Sequence, residues 1–313
     1  MAWLDLAAAL ALATSATAPP LADPLSSEPA SPRTQSDLIE LERERHDRLT
    51  VPVTIGESGP YRFLVDTGAQ ATVLSRELAD SLGLLDRRAA TLVGVASSVV
   101  AQTVALNKLG LGSRTTSIAR VPLVEARNIG GADGVLGADA LQGQRVLFDF
   151  ANQHMEIVPA SQSPRSRGYE IVVRARARLG RLIIANARID GVRTAIIIDT
   201  GAQTSIGNPA LARRLRRRSA GTAELFDING AAMQAGIGVV SQLQIQQMRL
   251  QNVAMVFTGS PAFRALGLYD RPAMILGIRE LRLFRRVAID FSRSRIYFDV
   301  PSLAREFTGW HRP

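Results

Sequence analysis

The chain has 313 residues, of which 46% are apolar, a length and composition that suit two packed domains and exclude a chain disordered throughout. Cysteine is absent, which rules out disulfides, thiolate catalysis and cysteine-ligated zinc and leaves the compartment open. The formal net charge of +9 rests on arginine, since Lys108 is the only lysine. The run Arg213, Arg214, Arg216, Arg217 and Arg218 therefore reads as the solvated face of an exposed helix, and no nucleic-acid partner is expected.

Residues 6–18 form an apolar, alanine-rich run of the length of a signal-peptide core, too short for a spanning helix. Residues 1–22 are thus expected to be a signal peptide that directs export to the periplasm or beyond, although Asp5 stands where a basic flank is usual. Residues 23–48 read as a linker or propeptide: the first part is rich in Pro, Ser and Ala, and the charged stretch 38–48 is a candidate helix or a cover for the first strand. A first unit is expected over 49–159, a linker over 160–168, a second unit over 169–300 and a tail over 301–313.

Both units carry the same pentapeptide. Asp66-Thr67-Gly68-Ala69-Gln70 follows the apolar run Phe63-Leu64-Val65, and Asp199-Thr200-Gly201-Ala202-Gln203 follows Ile196-Ile197-Ile198, 133 positions later. An apolar strand that ends in an acid brings a carboxylate to the edge of a packed core, where burial and a neighbouring charge can shift its proton affinity. The similarity extends beyond the motif, as a duplication should. Val135-Leu136-Gly137 with Leu141 matches Ile275-Leu276-Gly277 with Leu281 at an offset of 140, and Phe148-Asp149-Phe150 matches Ile289-Asp290-Phe291 at 141. Each unit also offers a glycine-tipped hairpin, at Gly94 in the first and at Ile228-Asn229-Gly230 in the second.

This doubled pattern resembles the retropepsin-like aspartic proteases over roughly residues 49–300. Their signature is an Asp-Thr-Gly-Ala loop after an apolar strand, a glycine-containing flap and an apolar-apolar-Gly segment beneath the loop. The resemblance implies a mostly β protein of two closed β-barrel units in one chain, related by a pseudo-two-fold axis in a bilobal structure with one shared active site. It also implies that Thr67 and Thr200 hydrogen-bond across the two loops and that Gly137 and Gly277 pack closely beneath them. Ala69, Gln70, Ala202, Gln203, Gly94 and Gly230 are the expected contacts to an extended peptide substrate. Gln70 and Gln203 stand where retroviral members commonly carry an acid, and the first flap lacks the tyrosine of pepsin-like enzymes, so the comparison with pepsins extends only to the bilobal plan.

The chemistry that remains is that of two carboxylates. Asp66 and Asp199 are the candidate catalytic pair, supported by Thr67, Gly68, Thr200 and Gly201. Two like charges a few ångströms apart share a proton, so that one activates water while the other polarises the carbonyl. No metal or cofactor is expected: His46, His154 and His311 lack ligand spacing, and the motifs of zinc, serine and nucleotide chemistry are absent. The sequence reads best as an endopeptidase that works as a monomer with an internal pseudo-dimer. A non-catalytic peptide-binding module and a structural or assembly protein on the same fold stay open beside it.

Overall fold

The computed structural model describes residues 37–40, 42–43, 49–159, 169–215 and 218–300. The apolar run at 6–18, the linker at 160–168 and the tail at 301–313 lie outside the described residues. In chain order the first half contains β1 (Asp37–Glu40), β2 (Glu42–Arg43), β3 (Leu49–Ile55), β4 (Ser58–Val65), β5 (Val73–Ser75), α1 (Arg76–Ser81), β6 (Arg88–Val93), β7 (Ser98–Leu111) and β8 (Arg114–Val124). A 3-10 turn (Ala126–Ile129), β9 (Gly134–Leu136), α2 (Ala138–Leu141), β10 (Gln144–Asp149) and β11 (His154–Pro159) complete it. The second half contains β12 (Ile171–Arg174), β13 (Arg176–Arg178), β14 (Arg181–Ile189), β15 (Val192–Ile198), β16 (Ser205–Gly207), α3 (Pro209–Arg214), β17 (Arg218–Phe226) and β18 (Ala232–Ile245). It ends with β19 (Met248–Phe257), α4 (Pro261–Ala265), β20 (Ala273–Leu276), α5 (Ile278–Leu281), β21 (Arg286–Asp290) and β22 (Arg295–Asp299).

The two halves repeat one topology. The first sheet runs β2-β3-β4-β9-β5-β8-β7-β6 and the second β13-β14-β15-β20-β16-β19-β18-β17. Extra pairing of β3 with β7, and of β14 with β18, closes each into a barrel. Local sequence explains the inner strands. In β3 the buried Val51, Val53 and Ile55 alternate with exposed Pro52 and Thr54, the period of a strand with one wet face. The last three residues of β4 and of β15 are all buried, because these strands are covered on both faces and need apolar residues on each. There β4 pairs in parallel with β9, Leu64 against Val135, and β15 pairs in parallel with β20, Ile197 against Ile275.

A third sheet, ordered β1-β11-β10-β21-β22-β12, joins the halves. At its centre β10 and β21 run antiparallel with Leu147 opposite Ala288, two positions that the repeat itself equates, so a pseudo-two-fold axis passes through this pair. One hydrophobic core runs through both halves, with Val146 and Phe148 from the first beside Val287 and Ile289 from the second.

Two local expectations change. Within 38–48 the described residues form strands, not a helix: Asp37–Glu40 pairs with β11 and Glu42–Arg43 with β3. An open sheet edge supplies backbone partners there, and edge pairing overrides the helical look of a charged run. The arginine cluster is not one helix either, since α3 ends at Arg214 and Arg218 opens β17, although Arg213 and Arg214 are exposed.

Candidate active site

The two Asp-Thr-Gly loops meet at the seam between the barrels. Each aspartate leaves its strand with the backbone still in register, because Asp66 N–H donates to Leu136 O at 3.0 Å and Asp199 N–H to Leu276 O at 3.1 Å. The loop then turns back over its own carboxylate. Oδ1 of Asp66 accepts from the N–H groups of Gly68 and Ala69, both at 2.8 Å, and Oδ1 of Asp199 accepts from those of Gly201 and Ala202, both at 2.9 Å. One oxygen of each acid is thereby fixed and the other left for the partner.

The two carboxylates line one cleft and are close enough to act on each other. Burial, then the charge of Asp66 and a hydrogen bond with it, push the Asp199 carboxyl well above the usual aspartate range. The N–H of Ala202 and the charge of Arg181 oppose that rise without cancelling it. Asp199 is 8% exposed and Asp66 half-buried, so the two acids differ in solvation despite their matched loops.

The neighbouring residues explain how two acids are held so close. Thr67 N–H donates to Thr200 Oγ1 at 3.1 Å and Thr200 N–H to Thr67 Oγ1 at 3.2 Å. Each hydroxyl in turn donates to a carbonyl of the opposite half, Thr67 to Ile198 O at 3.2 Å and Thr200 to Val65 O at 2.7 Å. A Cβ at Gly68 would collide with the Asp199 carboxylate, and one at Gly201 with that of Asp66, so glycine is required by close approach at both positions.

A second layer props the loops from below. Gly137 and Gly277 lie against loop backbone, where an added Cβ would fall 2.6 Å from Ala71 O and 2.8 Å from Ala202 O. Thr72 Oγ1 donates to Asp139 Oδ1 at 2.6 Å while accepting from Gly137 N–H at 3.1 Å. Ser205 repeats this with Glu280 Oε2 at 2.6 Å and Gly277 N–H at 3.1 Å. The sequence reading missed Asp139 and Glu280; their shared place just after the apolar-apolar-Gly segment was the available signal.

A cleft of about 390 Å³ opens over the pair, with an apolar wall on the second half that includes Ile197, Ile206, Ala262, Leu266 and Ile275. The tips of the β6–β7 and β17–β18 hairpins cover it and touch each other. Asp227 Oδ2 accepts from Ala96 N–H at 3.2 Å and from Ser97 Oγ–H at 2.7 Å, and Asn229 Nδ2–H donates to Ser97 Oγ at 2.8 Å. Gly94 has no room for a side chain, because a Cβ there would strike Asp227. Of the expected substrate contacts, Ala69, Ala202, Gln203 and Gly94 line the cleft. Gln70 and Gly230 stand outside its lining: Gln70 is exposed beside the turn at Gly180, and Gly230 packs against Asn128 with a φ of +78° that suits glycine. Arg181 lines the cleft too, and the sequence did not single it out. Among the described residues, no group of three or more histidine, aspartate or glutamate side chains could hold a metal ion, and no helix is long and apolar enough to cross a membrane.

Two like barrels with an acid from each at a shared seam, under a pair of flaps, define the acid-protease class of fold. A family model described as aspartyl protease matches residues 51–140 and 185–279, once in each half and over more than half of the chain, and the protein belongs to this retropepsin-like family. No curated protein matches the chain.

Proposed function

We propose that the protein is an aspartic endopeptidase that hydrolyses peptide bonds in extended segments bound between the barrels and the flaps. The observation that carries this reading is the joining of the two Asp-Thr-Gly loops by Thr67 and Thr200, which sets Asp66 and Asp199 in one cleft. Asp199, the more buried member, keeps the shared proton, and Asp66 takes a proton from a water that attacks the peptide carbonyl. Asp199 donates to the carbonyl oxygen, and a tetrahedral diol forms with no covalent link to the protein. Asp66 then passes its proton to the leaving nitrogen while Asp199 takes one from a diol hydroxyl, so that the C–N bond breaks, the carbonyl of the new acid re-forms and the singly protonated pair is restored. The pair titrates as a unit, so these roles describe the resting microstate.

Asp66→Asn and Asp199→Asn test the reading, because asparagine keeps the Oδ1 acceptor for the loop N–H groups and removes only the acid. Each variant should lose about 10³-fold or more in cleavage of a mixed peptide library, the scale of a lost acid-base group. Mixing the two variants should restore nothing, since both acids of a site come from one chain. Substantial activity in either variant, or recovery on mixing, would refute the shared intramolecular site. Peptide binding without cleavage by the wild-type protein would favour a non-catalytic binding module.

A further inference from the structure

Beyond its charge beside Asp199, Arg181 has no part in the steps just described, and its surroundings ask for a ligand. It opens β14 directly after a turn at Leu179 and Gly180, whose φ angles are +49° and +77°. That turn lies against the other half of the molecule: a Cβ on Gly180 would fall 3.4 Å from Ala138 Cβ, 3.3 Å from Gln142 Nε2 and 4.0 Å from Gln70 Cγ. Arg181 therefore starts at the seam and lines the cleft that also holds both catalytic acids.

Its Nε is buried and finds no hydrogen-bond acceptor among the described residues. A desolvated guanidinium donor without an acceptor is costly and persists where something else supplies the acceptor. The acids that share the cleft do not supply it: none of Asp66, Asp199, Asp227 and the exposed Glu224 accepts from this Nε. Asp199 Oδ1 is bound to two loop N–H groups. Asp227 is taken up by Ala96 and Ser97 on one oxygen and by Asn229 N–H and Ala231 N–H on the other. Gln203, which lines the cleft directly after Ala202, is neutral, so that position sets no fixed negative charge against an incoming anion. The cleft wall holds a second cation in the exposed Arg127.

We propose that Arg181 is a specificity-determining residue that selects substrates with a carboxylate close to the scissile bond, either an aspartate or glutamate side chain or a chain end. A carboxylate is the group that matches the planar fork of a guanidinium with two parallel hydrogen bonds, and desolvation in the cleft strengthens the pairing. The apolar wall formed by Ile197, Ile206, Leu266 and Ile275 would take the neighbouring side chain, so the favoured peptide pairs an apolar residue with an acidic one. This inference rests on the proposed peptidase function and adds the substrate class.

The test is a set of acetylated, amidated peptides that differ only at positions flanking a common apolar cleavage site, with Asp, Glu, Asn, Gln or Lys at each. A parallel set ends in a free carboxylate. Wild-type kcat/KM should favour Glu or Asp over the amide isostere by about tenfold at one position, as expected of a charge-assisted pair. Arg181→Met and Arg181→Gln should erase that preference, and Arg181→Glu should turn it towards Lys. Kd values for the same peptides on the Asp66→Asn protein should follow the same order, which reads selectivity without chemistry. An advantage confined to the free-ended set assigns the carboxylate to chain ends. A uniform loss over all peptides in the Arg181 variants, or a shift of the pH profile with selectivity unchanged, would show that Arg181 only tunes or props the pair and would overturn the proposal. Cleavage with no acid preference overturns this inference alone, whereas failure to bind or cut any peptide overturns the peptidase reading and this inference with it.

Discussion

Replacing Thr200 by valine removes the hydroxyl that ties the two halves together while keeping the shape of the side chain. In the native protein Thr200 Oγ1 accepts from Thr67 N–H at 3.1 Å and donates to Val65 O at 2.7 Å. Both threonines are at most 2% exposed, so water cannot take over either bond without opening the seam. Each backbone group left unpaired in a buried site costs about 1–3 kcal/mol, which gives about 2–6 kcal/mol for the pair. Against a total stability of about 5–15 kcal/mol this is a large share. With a urea slope of about 3 kcal/mol/M for a chain of this size, a middle value moves the unfolding midpoint down by about 1 M. Thr200→Ser keeps the hydroxyl and loses one methyl, about 1 kcal/mol, so the two variants should separate clearly. Urea titration followed by far-UV circular dichroism measures both, and peptide cleavage should show kcat of the valine variant reduced about tenfold or more as the carboxylates lose their alignment. A valine variant within about 0.5 kcal/mol of wild type, a typical surface effect, and fully active would refute the argument that this hydroxyl exchange holds the pair.

Other perturbations address the acids and the flaps. The Asp199 carboxyl binds its proton more tightly in the folded protein than in the unfolded chain, so wild-type stability falls as pH rises from the ordinary aspartate value near 3.8 through the raised one. Asp199→Asn lacks this loss and should be the more stable protein at pH 7.5, with the advantage shrinking towards pH 4; paired urea titrations at the two pH values check it, and an advantage that grows on acidification contradicts it. Ser97→Ala removes two of the bonds between the hairpin tips, those to Asp227 and from Asn229, and spares the acids. It should raise KM several-fold with kcat little changed and speed hydrogen exchange at 94–98 and 227–231, since a charge-assisted bond and a neutral one are lost.

The legible part of the site was the part written twice. Asp66 and Asp199, with identical flanking residues after apolar strand ends, announced a duplicated loop, and Phe148 and Ile289 marked the strands that turned out to join the halves. What stayed hidden depends on contacts between distant positions. The bonds that Asp227 accepts from Ala96 and Ser97 span about 130 residues and leave no local pattern, so the hairpin tip at Ile228-Asn229-Gly230 was legible and Asp227 beside it was not. Arg181 is one of several arginines along that stretch, and nothing in the sequence distinguishes it from Arg178 or Arg188. The strands at Asp37–Glu40 and Glu42–Arg43 were obscured because a charged run of this kind suits a helix as well, and only the waiting edges of β11 and β3 decide between the two.

The pairing of Leu147 with Ala288 limits how the molecule can move. Two lobes linked by a strap could swing apart on a hinge to admit a substrate. Here the outermost strands of each lobe are laced into one continuous sheet, and any swing would have to tear backbone hydrogen bonds and core contacts at its centre. Opening of the cleft therefore falls to the hairpin tips, which are held together by a few side-chain bonds. By the same logic neither lobe has a private melting point: heat or denaturant must undo both in one cooperative step.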